Sequence, residues 1–263
     1  MTHRLLTGIL ACVLASCALL VQAATPEEKG LSIAKEQQKR DEGWGDSQSE
    51  MKMVLRSASG SENVRMIKIK SLEVTTDGDK SLMVFDEPKD VQGTSFLSFS
   101  HVNGPDDQWI YLPALKRVKR IASNKKSGSF MGSEFSYEDL SSFEPEKYSF
   151  KYLRDETLNG EKCFVVESVP KDANSGYSKL VTWVDQSEYR MQKVEFYDKK
   201  QALLKIMTVS EYNKLENKHW RPKLSRIENK QTGKSTDLHW MNIRLKTGLK
   251  DSDFSENNLK KAD

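Results

Sequence analysis

The residues able to do chemistry are few and scattered. His3, His101, His219 and His239 are the only histidines, and Cys12, Cys17 and Cys163 the only cysteines. The chain carries no HExxH, no pair of closely spaced Cys ligands and no EF-hand loop, so a zinc, calcium or redox framework has nothing to build on. Gly128-Ser129-Phe130-Met131-Gly132 sets its serine one position away from that of a nucleophile elbow, and no long helix pattern follows it. Gly233-Lys234-Ser235 ends like a phosphate loop, but Glu228 stands where the first glycine is required; a hairpin turn fits better. Asp106-Asp107 and Glu138-Asp139 are carboxylate pairs whose neighbours point apart in extended chain, so a solvated surface or a helix-start charge is expected of them. His101 and His239, on strand patterns, read as surface or satisfied core residues. The reading is a protein that is not an enzyme, with no cofactor and no metal. A pocket bringing His101 or His239 beside a carboxylate and a hydroxyl would reverse it.

Composition narrows the class further. With 263 residues, 37% hydrophobic, and 41 Lys plus Arg against 38 Asp plus Glu, the chain is globular, and its net charge of +3 is too small to argue nucleic-acid binding. A mean hydropathy of -0.65 excludes a polytopic membrane protein. Residues 1–23 read as a secretory leader: Arg4 supplies a positive start, Leu5 to Val21 an apolar stretch, and Val21-Gln22-Ala23 a processing site. Leu14-Ala15-Ser16-Cys17 is the alternative, a lipobox that would acylate Cys17, although the residues after it stay apolar. An uncleaved anchor is the third choice. A cut at Ala23 leaves residues 24–263 as a single domain in which Cys163, within the apolar run Cys163-Phe164-Val165-Val166, has no disulfide partner and reads as a small buried hydrophobe.

The elements that must position any site follow from periodicity. Thr25-Pro26-Glu27-Glu28 has the form of a capping box with proline at the first helical position, and Leu31 and Ala34 continue an amphipathic helix to Glu42. From Ser47 the period changes to two. Segments such as Met51-Leu55, Arg65-Lys70, Leu82-Phe85, Phe96-Ser100, Gln108-Leu112 and Tyr148-Leu153 are separated by turn signals, and the series runs on to Leu245. This predicts a mainly β, α+β chain built as an antiparallel meander. Residues 121–147 break the pattern, and a loop with a short helix around Tyr137–Phe143 is expected there. Its Phe130, Met131, Phe135 and Tyr137 should tuck into the concave face of the sheet, because leaving each in water would lose about 1.5–3 kcal/mol.

Two features ask for a function. Lys116, Arg117, Lys119, Arg120, Lys125 and Lys126 crowd one short stretch, as a solvated strand face or as a surface for acidic headgroups or an acidic partner. The strands also carry many aromatic and Met side chains, with too few helices to cover them, which suggests a ligand cavity.

Three blocks carry a resemblance: FDEPKDVQGTSFLSF (85–99), DQWIYLPALKRVKRIAS (107–123) and FMGSEFSYEDL (130–140), followed by Trp183-Val184-Asp185 and Val194-Glu195-Phe196-Tyr197-Asp198. With them the chain resembles the outer-membrane lipoprotein-sorting family of the LolA/LolB-like superfamily, in a branch associated with RND-type exporters. The resemblance implies a strongly curved antiparallel sheet of about eleven strands, an unclosed barrel lidded by the N-terminal helix and the central loop. It implies a carrier in the Gram-negative periplasm that binds the acyl chains of a lipid or lipoprotein and shuttles them from an inner-membrane RND-type transporter to an outer-membrane acceptor. A protein-binding module or accessory subunit of such an exporter is the alternative. The expected cleft residues are Phe96, Trp109, Tyr111, Phe130, Met131, Phe135 and Tyr137. Lys116, Arg117, Lys119 and Arg120 are expected at its rim, docking a partner or a headgroup. The arginine that such carriers hold in the cavity has no evident counterpart among these residues.

Overall fold

The computed structural model describes residues 24–260; the segment expected to be a leader, with the expected cut at Ala23 and the alternative acylation at Cys17, lies outside the described residues. Helix α1 (Pro26–Asp41) begins on the capping box that its sequence predicts. The Thr25 hydroxyl accepts from the Glu28 N–H at 3.1 Å, and the Glu28 carboxylate accepts from the Thr25 N–H at 2.9 Å.

Behind it lies one antiparallel sheet of 13 strands: β1 (Asp46–Arg56), β2 (Glu62–Leu72), β3 (Lys80–Glu87), β4 (Ser95–Phe99), β5 (Asp107–Leu112), β6 (Arg117–Arg120), β7 (Tyr148–Leu158), β8 (Glu161–Pro170), β9 (Tyr177–Asp185), β10 (Met191–Asp198), β11 (Leu203–Leu215), β12 (His219–Asn229) and β13 (Ser235–Leu245). The count exceeds the eleven expected, in part because the basic run itself forms β6, with Val118 and Ile121 turned to apolar neighbours. The spatial order is β6-β5-β4-β3-β2-β1-β13-β12-β11-β10-β9-β8-β7. Strands β1 and β13 therefore adjoin at the centre, and two meanders run outward from that pair. The edge strands β6 and β7 follow each other in sequence yet stand at opposite edges, so the sheet stays open and the strap 121–147 must cross its concave face.

Period two sorts the side chains onto two faces. The concave side carries Met51 and Met53, Ile67 and Ile69, Met83 and Phe85, Phe96 and Ile110, closed by Phe130 and Phe135 from the strap. The convex side of β3–β6 carries Leu82, Leu97, Trp109, Tyr111 and Val118, covered by the C-terminal segment through Phe254 and Leu259 of helix α2 (Glu256–Leu259) and its approach. At the other end of the sheet α1 lays Ile33 and Ala34 on Phe150, Val166 and Val184. Gly30 lets it come close: a Cβ there would stand 2.8 Å from the Tyr152 nitrogen. Among the described residues no helix is long and apolar enough to cross a membrane.

Candidate functional site

The strap is held to the concave face in three ways. Phe130 is fully buried, with its ring centroid 5.1 Å from that of Phe96, 5.7 Å from Tyr137 and 5.9 Å from Phe85. Arg65 of β2 donates to the Met131 carbonyl at 2.5 Å, and Met131 adopts a left-handed φ of 49° there. The third tie is ionic. Lys205 of β11, 3% exposed, donates to Asp139 at 2.6 Å and to the Glu134 carbonyl at 2.9 Å. The Tyr177 hydroxyl donates to the second Asp139 oxygen at 2.7 Å, and the Ser136 N–H reaches Asp139 at 2.6 Å. Asp139 is thus the helix-start charge that the sequence suggests for a short 3-10 turn at Tyr137–Leu140. Instead of standing in solvent it is sunk against the sheet.

Where the strap rises off the sheet, two wide cavities open beside a smaller one of about 510 Å³ at Glu134 and Lys205. One, of about 710 Å³, lies under the end of α1, with Gln37, Arg40 and Asp41 above it, Ile69, Met83 and Trp240 on its floor, and Leu140 in its wall. The other, of about 750 Å³, has Leu180, Val194, Phe196 and Met207 as its floor and Phe143, Tyr148 and Tyr177 around it. Ser141, Ser142 and Met191 border both, so the cavities adjoin across the strap.

Carboxylates gather at that junction. Burial pushes the Asp79 carboxyl up to about 7, against one hydrogen bond from the Val74 N–H. Glu144 is raised by burial too, while accepting from Ser142 at 2.7 Å and from Gln38 of α1 at 3.2 Å. Glu138, in the wall of the second cavity, is raised by burial although Ser175 and the Gly176 N–H both donate to it at 2.8 Å.

The sequence-predicted residues divide. Phe96, Phe130, Met131, Phe135 and Tyr137 do converge, as the packed core of the strap, and of these Phe135 borders a cavity. Trp109 and Tyr111 do not join them. Their strand presents Ile110 inward, so both face the convex side against the C-terminal segment. Lys116, Arg117, Lys119 and Arg120 line neither cavity; Arg120 pairs with Asp107, and the other three stand exposed. His101 has both ring nitrogens on carboxylates, Asp77 at 2.7 Å and Asp107 at 3.2 Å, which raises its pKa, and it borders neither cavity. His239 lies within 4.0 Å of Asp237, again away from both cavities. Cys163 is buried, as expected, and its thiol is pushed up by that burial.

The residues missed were those on the cavity floors. Leu180 and Thr182, Val194 and Phe196, and Met207 show the two-residue alternation, but nothing local says which face of each strand is concave. Lys205 did carry a signal: it stands in alternation with Met207 and Val209, where an apolar residue would continue the inward row.

No curated protein matches the sequence. A family model described as "Uncharacterized protein" matches residues 77–261. A solved domain from Vibrio parahaemolyticus, named for outer-membrane lipoprotein sorting, is 56% identical, with a TM-score of 0.88 over 89% of this chain and 99% of that one. A DUF1329 family protein from Desulfovibrio piger is 31% identical, with a TM-score of 0.85 over 90% of this chain and 100% of its own. A LolA superfamily protein from Nitrosomonas europaea, at 20% identity and a TM-score of 0.69 over 90% of this chain and 100% of its own, shares the fold. The open sheet has the fold of that LolA superfamily protein, and the chain belongs to the DUF1329 family.

Proposed function

We propose that this protein is a carrier of the Gram-negative periplasm that shelters the acyl chains of a lipid or lipoprotein and passes them from an inner-membrane RND-type transporter to an outer-membrane acceptor, without chemical change. The observation that carries the reading is the pair of adjoining cavities, each with apolar side chains on its floor, between an open curved sheet and its own helix and strap. Each methylene kept from water stabilises the loaded state by about 0.8 kcal/mol. Holding a chain therefore needs apolar volume and a way in, and no reactive group. The name of the Vibrio relative points the same way. The exposed Lys116, Arg117 and Lys119 serve as a docking surface for the transporter.

Native mass spectrometry of the mature protein purified from periplasm, followed by solvent extraction, tests the reading. Bound phospholipid or acylated peptide is the expected result. A clean apo mass, with no lipid taken up on incubation, would sink it. In that case the accessory-subunit reading takes over, favoured by the strap filling much of the concave face with Phe130 and Phe135, and a pull-down with the inner-membrane fraction would test it.

A further inference from the structure

The two cavities differ in chemistry. Across β1 to β5 the concave face carries a row of polar side chains in register: Ser47 opposite Ser71, Ser71 opposite Ser81, Ser81 opposite Ser98, and Ser98 opposite Gln108. Gln108 and Ser98 are buried and spoken for, since the Gln108 amide donates to Ser98 at 3.3 Å and to the Tyr137 carbonyl at 2.9 Å. The row then emerges onto the floor of the 710 Å³ cavity as Ser81, Ser71 and Ser47, with Ser49 beside them. No hydrogen bond ties these four hydroxyls to another described residue. Trp240, in the same wall, has a buried indole N–H with no partner.

The far rim of this cavity carries more cations than carboxylates, with Arg40, Arg190, Lys214, Lys218 and Arg221 beside Asp41 and Glu188. Arg40 pairs with Glu36 at 2.8 Å, and Lys214 reaches Glu188 at 3.5 Å. Lys218 donates to the Glu42 backbone carbonyl at 2.5 Å. A cavity made only for hydrocarbon gains nothing from free hydroxyls on its floor, because unpaired polar groups cost free energy when an apolar chain displaces their water. The 750 Å³ cavity offers the complementary surface, with Leu180, Val194, Phe196 and Met207 together on its floor.

Building on the carrier reading, we infer that the cavity under α1 is a headgroup chamber for an anionic, hydroxyl-bearing phosphoester of the phosphoglycerol type, while the acyl chains pass Ser141, Ser142 and Met191 into the second cavity. The serine row hydrogen-bonds the glycerol hydroxyls, and Lys218, with Arg40 and Lys214, faces the phosphate. The cargo is then an anionic phospholipid held head and tail in separate compartments.

The test compares three probes on the wild-type protein and on the triple variant Ser47→Ala, Ser71→Ala, Ser81→Ala: palmitoyl-oleoyl phosphatidylglycerol, diacylglycerol with the same chains, and sn-glycerol 3-phosphate. Quenching of tryptophan fluorescence reads occupancy. Wild type is expected to bind phosphatidylglycerol at least tenfold more tightly than diacylglycerol. The triple variant should lose most of that preference, its affinity falling far more for phosphatidylglycerol than for diacylglycerol, and Lys218→Glu should do the same without touching the serine row. Equal wild-type affinity for the two lipids, or an equal loss of both in the variants, overturns the headgroup chamber and leaves the carrier intact. Binding of neither lipid fails the carrier reading and this inference with it. Saturation by micromolar glycerol 3-phosphate alone overturns the lipid assignment in favour of a soluble phosphoester.

Discussion

Lys205 occupies a position where an inward-facing strand residue ordinarily carries Val or Leu, in alternation with Met207 and Val209. Its ammonium and the Asp139 carboxylate are both nearly without solvent, at 4% and 8% side-chain exposure. Removing one partner strands the other, so Lys205→Met should cost about 3–5 kcal/mol, whereas Lys205→Met with Asp139→Leu should recover most of it. Urea unfolding of both variants measures this, and an additive loss in the double variant would show that the pair is not coupled. Asp79 makes a prediction in pH. Burial raises its carboxyl from 3.8 to about 7, so the folded chain holds a proton that the unfolded chain releases near 3.8. The stability this group contributes is therefore complete below about pH 4, declines as pH rises through the window, and is gone above about pH 7. Asp79→Asn keeps an oxygen for the Val74 N–H and should flatten that decline, read as chemical-denaturation midpoints between pH 4 and 8.

At the scale of elements, what was legible in the sequence was what is local. The Thr25 capping box, the strands from Ser47 onward and the strap between Arg120 and Tyr148 all announce themselves by cap chemistry, by period two and by its loss. Which face of a strand is inward is not local, because a partner distant in sequence decides it. Trp109 and Tyr111 look outward since Phe254 and Leu259 return to cover them, and no feature near residue 110 foretells that return. The cavities were hidden for the same reason, being spaces between strap, helix and sheet that no single segment describes. The strap and α1 can be tested separately. Phe130→Ala should cost about 3–5 kcal/mol, as a buried Phe leaves a void among Phe85, Phe96 and Tyr137. A calorimetric scan checks this, and a loss under 1 kcal/mol would mean that the strap is not anchored there. Gly30→Ala puts a methyl 2.8 Å from the Tyr152 nitrogen, so α1 must lift from β7. Faster hydrogen exchange confined to residues 26–41 is expected, at a cost of about 1–3 kcal/mol.

For the whole molecule, openness is the property that matters. A closed barrel of 13 strands would have no edges, whereas this sheet keeps β6 and β7 apart and spans the gap with a strap that also forms a wall of both cavities. Cargo volume and fold are thereby linked, since the apolar surface the sheet leaves uncovered is the surface a chain can occupy. If acyl burial drives loading, affinity should climb with chain length by about fourfold per methylene, from about 0.8 kcal/mol each. The climb must stop when the 750 Å³ cavity is full. A lysophosphatidylglycerol series from ten to twenty carbons, titrated calorimetrically, should therefore show a straight rise in log affinity and then a plateau, with a negative heat-capacity change along the rise. A rise with no plateau would mean that chains lie on an outer surface, and a flat series would mean that the chain is not what the protein holds. A ligand bound inside also stabilises the fold, by about 2.7 kcal/mol at one hundred times its dissociation constant. The plateau in affinity and the ceiling in melting temperature should then fall at the same chain length, because one cavity volume sets both.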